Sequence, residues 1–470
     1  MAAKVGDLNW GFSLKSTMWA AKRNRRQFSL AGLSAAGGVV LAGVGEGGLR
    51  GRFVRADEKA APSDRINVGM IGLGARGFNL LDDLLRLADV EIRVLCDVQN
   101  VHHRELLPSE GRAYGCETAR QYIVNRLKRL GKTDDRGPEL TADFRDVCAR
   151  PDIDAIVVAT PDHWHALCCL TAIESGKDVY CEKPITHWFS EGLTFCQAVE
   201  KHARVFQTGS QQRSDWRFRR AAELARNGLL GKIQRVEIGL PQGYPEPQSD
   251  PAIIDPPPEL NYDLWCGPAP LLPYSRARHH RWWRGHRAFG GGVLMDWIGH
   301  HNDIAHWALD MDESGPLSVQ AVNWQFPSTD LYNTPSQYTI LCQYAGEVTS
   351  SISSQHTEGL KLIGSDGWCW VDRGRMKASD PQWTERDFVP GSVRLEVSES
   401  HMKNFIDCVK SRSRPIAPAE TGHRSITPGH LGYVAHELGR VIRWDATRQR
   451  VVDDPQADEL LRLGSYREPW

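Results

Sequence analysis

The sequence predicts an α/β chain in two parts: a doubly wound parallel sheet, then an α+β domain built on a largely antiparallel, open sheet. Three observations carry this. From Arg65 onward, β-branched apolar runs alternate with stretches of helical periodicity. Ile66–Ile71 leads through a leucine-rich stretch to Val90–Cys96, and Ala155–Ala159 leads through another to Asp178–Cys181. Strands joined by crossover helices pair in parallel. After about Gly231 the texture changes. "KIQRVEIGLP", "LSVQAVNWQF", "QYTILCQYAG", "VTSSISSQ" and "KLIGSDGWCWVD" are short, partly alternating runs with no helix between several of them, the pattern of antiparallel pairing. Finally, 470 residues exceed what one ordinary core accommodates. The expected division is a leader and linker at 1–61, a first domain at 62–210 and a second at 211–470.

The leader "KRNRRQFSLAGLSAAGGVVLAGVG" carries an Arg25–Arg26 pair, then Phe28 and Leu30, then a weakly apolar Gly/Ala run. Val54 and Ala56 offer a small-residue cleavage site before Asp57. This resembles a twin-arginine export signal, so a periplasmic location is expected. The apolar run is short and broken by glycine, so no stable membrane span is expected.

Within the first domain, Gly72-Leu73-Gly74-Ala75-Arg76-Gly77 fits G-x-G-x-x-G. The motif follows a strand, opens a helix, and is answered twenty residues on by Asp97 at the end of the next strand. That context makes it a dinucleotide-binding (Rossmann) fingerprint. Gly72 permits the turn, Gly74 lets backbone approach a pyrophosphate, and Gly77 lets helix and strand pack closely. Ala75 and Arg76 open the helix whose N-terminus faces the phosphates. Asp97 suits a ribose diol and repels a 2′-phosphate, so NAD is expected over NADP, with Arg76 the residue able to soften that repulsion.

Charge and cysteine use exclude other classes. Fifty-seven basic against 58 acidic side chains leave a formal charge of −1, which gives nucleic acid no electrostatic footing. Eleven cysteines without a C-x-x-C argue against a disulfide framework or zinc ribbon. Sixteen tryptophans, several beside polar clusters, supply flat rings on which a sugar can stack.

Three further motifs follow in order: Thr160-Pro161 with His165 in "ATPDHWH"; Glu182-Lys183-Pro184; and Gly290-Gly291-Gly292 with Asp296, His300 and Asp303. On these residues the chain resembles the Gfo/Idh/MocA (glucose–fructose oxidoreductase/inositol dehydrogenase) family, from Arg65 to about Trp307. It departs from the pattern at Ile298, where the family carries glycine. The resemblance implies that Thr160, Pro161, His165, Glu182 and Lys183 border the cofactor. It implies that Lys183 and the Asp296/His300 pair meet the substrate beside the nicotinamide, and that substrates are sugars or polyols. It also implies that the open sheet mediates homo-oligomerisation.

Asp296 and His300 share one helix face, with Asp303 a further three residues along. They read as a metal site, as an acid/base site, or as a buried polar network. Acid/base chemistry is preferred and no metal is expected, because Lys183 ends a sheet strand where such folds bind ligands. In that scheme His300 takes a hydroxyl proton, Lys183 stabilises the developing alkoxide and Asp296 orients the group. Gln211, Arg213, Trp282 and His301 are the candidates for holding substrate. The expected function is hydride transfer between a sugar or polyol hydroxyl and nicotinamide. Its alternatives are redox-neutral glycoside cleavage through transient oxidation, and a non-catalytic sugar-binding protein.

Overall fold

The computed structural model of the chain describes residues 64–103, 111–131 and 136–470. The leader, with Arg25–Arg26 and the expected cut before Asp57, lies outside the described residues.

The first strand, β1 (Ile66–Ile71), feeds α1 (Ala75–Leu84) and then β2 (Val90–Cys96), as the apolar pattern predicts. α1 buries Phe78, Leu80, Leu81 and Leu84 along one stripe. The next crossover is elaborated. A two-stranded hairpin, β3 (His102–His103) and β4 (Ala113–Tyr114), and α2 (Cys116–Arg129) precede β5 (Glu139–Thr141) and α3 (Phe144–Ala149). β6 (Ala155–Val158), α4 (Asp162–Glu174), β7 (Asp178–Cys181), α5 (Phe189–Lys201) and β8 (Phe206–Thr208) complete the layer. Six strands pair in parallel in the order β5-β2-β1-β6-β7-β8. Every residue of β6 and β7 is buried; β6 accordingly reads as an unbroken apolar run, while β7 opens on the buried Asp178. The winding reverses between β1 and β6, and the crevice beyond the carboxyl ends at such a reversal is where this architecture binds ligands.

α6 (Trp216–Arg226) leads to β9 (Ile233–Gly239). The Pro-rich segment that follows holds α7 (Tyr262–Cys266) and runs to α8 (Gly292–Leu309). Then come β10 (Ser318–Gln325), β11 (Gln337–Gln343), β12 (Thr349–Ser353), β13 (Gly359–Gly364), β14 (Trp368–Asp372) and β15 (Arg375–Ala378). The chain ends with α9 (His401–Ser411), α10 (Ala419–Leu438), β16 (Ile442–Asp445), β17 (Arg450–Val451) and α11 (Pro455–Arg462). β9 to β17 form one sheet, β15-β14-β13-β9-β12-β11-β10-β16-β17, antiparallel except where β9 meets β12. Val236, Ile238, Ile340, Ile352, Leu360 and Leu362 are fully buried, and α6, α8 and α10 pack on this sheet. Leu341, between two buried neighbours on β11, stays exposed.

α9 does not join that sheet. It packs beside α1, and Met402, Phe405 and Ile406 share a core cluster with Leu80, Leu81 and Leu84. Gln207 at β8 donates from Nε2 to the His401 carbonyl at 2.7 Å.

Arg213, expected to hold sugar, is instead a structural anchor. It sits in a 3₁₀ turn after β8, 2% exposed, with Nε and Nη2 on the two Asp303 oxygens at 2.8 and 2.9 Å. The same guanidinium reaches Asp312 at 2.9 and 2.7 Å. Asp303, three residues past His300, is thereby committed to Arg213. Burial still lifts its carboxyl to about 6 against the pull of that arginine. Replacing Arg213 with methionine leaves Asp303 buried without its counter-charge. The expected loss is about 3–5 kcal/mol of unfolding free energy at neutral pH, read by urea denaturation; a loss below about 1 kcal/mol contradicts the anchoring role.

Candidate functional site

The glycine turn divides its work in space. Gly72 adopts φ +91°, a left-handed conformation that favours glycine, and a Cβ there would lie 2.6 Å from the Ala159 carbonyl. A Cβ on Gly77 would lie 2.2 Å from Gly72 O, so Gly77 permits the helix to sit on the turn. Around Gly74 an added Cβ would meet nothing within 4 Å. That open space belongs to a cavity of about 750 Å³ at the β1/β6 reversal. Of the residues expected to border a cofactor, all but Gly77 line it, and so do Lys183, Asp296 and His300.

Asp97 caps the far side of the turn. Its Oδ2 accepts from the Leu73 N–H at 2.7 Å and its Oδ1 from the Gln99 N–H at 3.2 Å. These bonds fix the carboxylate at the end of β2 and leave each oxygen a lone pair for a diol. The residues present therefore fit a dinucleotide: open backbone where a pyrophosphate must approach, a helix N-terminus beyond it, and an oriented carboxylate.

Arg76 turns to the other side. Its Nε donates to Glu182 Oε1 at 2.8 Å, and Gln211 Nε2 donates to the same oxygen at 2.8 Å and to the Tyr180 hydroxyl at 2.6 Å. Burial pushes the Glu182 carboxyl up, but Arg76 and Lys183 hold it below the usual range. Gln211 lines the cavity as expected, with its amide engaged by these two partners. His165 ties two motifs together, one ring nitrogen 2.6 Å from Pro184 O and the other 2.9 Å from Thr160 O. The Lys183–Pro184 peptide bond is cis.

At the other end of the cavity, Lys183 Nζ donates to both Asp296 O and Asp296 Oδ1, each at 2.7 Å. Arg284 Nε lies 3.0 Å from the same carboxylate oxygen. Burial alone would raise Asp296, but Arg284 and Lys183 bring it down to about 2. His300, one helical turn on, is neutral. Burial first, then Lys183 and Arg373, hold its ring well below the ordinary histidine value, and Nδ1 has no hydrogen-bond partner among the described residues. Ile298 is fully buried in the core while α8 runs unbroken through it, so the departure from the family glycine leaves the Asp296–His300 spacing intact.

Two residues expected to hold substrate do not line this cavity. Trp283, not Trp282, lines the cavity; Trp282 stands edge-on to Tyr244 at 5.5 Å. His301, next to His300 but a hundred degrees around the helix, is fully buried behind the wall, near Phe218, Glu358 and Asp372. Sequence reasoning missed Asp162, Arg284, Trp297 and Arg373, all on the cavity wall. Asp162 is the one carboxylate among these four. It is 2% exposed, Oδ2 has no hydrogen-bond partner among the described residues, and burial lifts it to about 6 despite Arg284 and His165. Its signal was its place inside "TPDHWH", directly after the Thr-Pro turn.

Comparison with known proteins agrees with this geometry. The Gfo/Idh/MocA model described as "Oxidoreductase family, NAD-binding Rossmann fold" matches residues 66–210, and the companion model for the C-terminal alpha/beta domain matches 224–470. The chain is 27% identical over 174 residues to the uncharacterized oxidoreductase YrbE of Bacillus subtilis, covering 37% of this chain and 44% of that one. It is 32% identical over 181 residues to a glycosyl hydrolase family 109 protein of Shewanella putrefaciens, covering 38% and 35%. The chain thus spans less than half the length of these curated relatives. Among solved structures, the WlbA dehydrogenase of Chromobacterium violaceum, in complex with NADH and UDP-GlcNAcA, superposes with a TM-score of 0.58 at 17% identity, over 82% of this chain and 97% of that one. That likeness is one of fold.

Asp162 gives the site a pH signature. Its folded value near 6 lies above the ordinary 3.8, so folding favours its protonated form. The stability it contributes is complete below about pH 4 and lost as pH rises through about 6. Asp162→Asn keeps the shape and removes that loss, so the variant gains on the wild type by about 2–3 kcal/mol between pH 4 and pH 7. Urea unfolding of both proteins across this range checks it; a difference that does not change with pH refutes it.

Proposed function

Because the chain belongs to the Gfo/Idh/MocA oxidoreductase family, we propose that it is an NAD-dependent enzyme acting on a hydroxyl of a sugar or polyol, with Lys183 and His300 handling the proton and Asp296 positioning them. The observation that carries this reading is the convergence of Lys183, from the end of β7, with Asp296 and His300, from α8, on a cavity that begins at the glycine turn.

NAD, when bound, supplies a hydride acceptor or donor. The backbone at Gly72–Ala75 would hold its pyrophosphate, and Asp97 its adenosine ribose; the charge of Asp97 disfavours a 2′-phosphate, and Arg76 is occupied by Glu182. Lys183 spends two ammonium protons on Asp296 and keeps a third for the substrate oxygen, where its charge stabilises a developing alkoxide. Neutral His300 accepts the hydroxyl proton, and in the reverse direction its protonated ring returns it. Asp296 stays ionised across the neutral range, which keeps Lys183 and Arg284 in place. Trp283 and Trp297 offer ring surface to a sugar.

A second reading has support of its own. Redox-neutral glycoside cleavage needs a further group able to give or take a proton near neutrality, and Asp162 is such a group in the same cavity. The Shewanella relative's name points the same way. The leader adds an exported, periplasmic location to this proposal, and the open face of the second sheet adds a homo-oligomer.

Denaturing the purified protein and identifying the released nucleotide tests the cofactor assignment, with NAD expected. A screen of sugars and glycosides with and without added NAD⁺ then separates the two readings. NADH accumulation marks net oxidation; turnover without it marks glycoside cleavage. Lys183→Met and His300→Asn are each expected to lower kcat by about 10²–10⁴-fold while the nucleotide stays bound. Unchanged turnover in both variants removes the proton-handling assignment.

A further inference from the structure

Behind the cavity wall, three elements bring together a second set of polar side chains that the proposed chemistry does not use. His301 projects from α8, Glu358 stands just before β13, and Asp372 ends β14. One ligand-type atom from each lies within 4.8 Å of the other two. Among the described residues no other group of three His, Cys, Asp or Glu is so placed.

The state of these groups is unusual. His301 is fully buried, yet neither ring nitrogen has a hydrogen-bond partner among the described residues. Asp372 is 4% exposed; Oδ2 pairs with Arg375 Nη2 at 2.5 Å, while buried Oδ1 has no partner. Buried polar groups in native proteins are met by protein, ordered water or an ion, and here unmet atoms of His301 and Asp372 lie beside a third donor, Glu358. The chemistry of the set names its class. A neutral imidazole with two carboxylates is a nitrogen–oxygen donor set for a divalent first-row cation. Atoms within 4.8 Å of one another admit a central ion at no more than about 2.8 Å from each, and a small side-chain adjustment brings them to bonding distance.

We infer that His301, Glu358 and Asp372 form a structural site for one divalent transition-metal cation, Zn²⁺ or Mn²⁺. Its position gives it a purpose. His301 follows His300 in α8, and Asp372 precedes Arg373, whose guanidinium stacks on Trp297 at 4.6 Å on the cavity wall. An ion shared by the three ligands fastens the β14–β15 turn to α8, and so holds Arg373, Trp297 and His300 in one rigid wall. The ion takes no part in proton or hydride transfer.

The test counts metal and uses no substrate, so its failure leaves the proposed activity standing. Tag-free, full-length protein is stripped with a chelator, confirmed to retain its nucleotide, and titrated with Zn²⁺ and separately with Mn²⁺. Bound metal is counted after desalting and Tm is followed. About one equivalent of one or both ions per chain is expected, together with a rise in Tm. His301→Gln is expected to abolish both responses. Glu358→Ala, at a half-buried position that tolerates truncation, keeps the fold and weakens binding by more than about tenfold. Wild-type protein that takes up neither ion overturns the inference, as does a folded Glu358→Ala variant that binds metal with wild-type affinity.

Discussion

The contact between Lys183 and Asp296 organises this molecule. Lys183 stands two residues beyond a strand of the parallel sheet, and Asp296 stands on a helix that lies against the antiparallel one. Two half-buried charges of opposite sign, each bonded twice or more, leave little freedom in how the two layers meet. A buried ion pair is a poor source of net stability, because both partners give up water. Its value here is positional. It fixes the distance between the cradle at the glycine turn and the Lys183–His300 end of the cavity, and in the proposed reaction chemistry between two bound reactants depends on that distance.

The electrostatics of the cavity follow from who is paired with whom. Asp296, half-buried, and Asp162, buried, are carboxylates on the same wall, yet one is drawn down to about 2 and the other lifted to about 6. Asp296 has Lys183 and Arg284 at bonding distance; Asp162 feels Arg284 and His165 but leaves one oxygen unmet. The same burial therefore yields one permanent anion and one group that titrates near neutrality. Two acids with values driven apart in one cavity is the usual arrangement for divided roles.

The legible parts of this site were those encoded over a few residues. The G-x-G-x-x-G turn, the Glu-Lys-Pro turn and the four-residue step from Asp296 to His300 each specify local backbone geometry, and each places its side chains on the cavity. The parallel order of the first sheet followed from strand–helix alternation for the same reason. What could not be read depends on partners far away in the chain. Arg213 looked like a sugar binder until Asp303 and Asp312 were seen to occupy it, ninety and ninety-nine positions on. Trp282 and Trp283 differ only by one step of a short 3₁₀ turn, which decides which ring meets the cavity. His301 adjoins His300 in sequence, but adjacent helical residues face different directions, and its ring lies by Phe218 and Asp372.

The return of α9 to the first sheet has a consequence for how the chain is built. Residues 401–411 complete a hydrophobic layer begun before residue 90, and Gln207 binds a carbonyl 194 positions later. A fragment ending near residue 210 would expose a greasy strip along α1 and would be prone to self-association rather than independent folding. On the ribosome, the nucleotide-binding half is synthesised early but sealed late. The segments leading into and out of that helix therefore tie the far end of the chain to the first sheet.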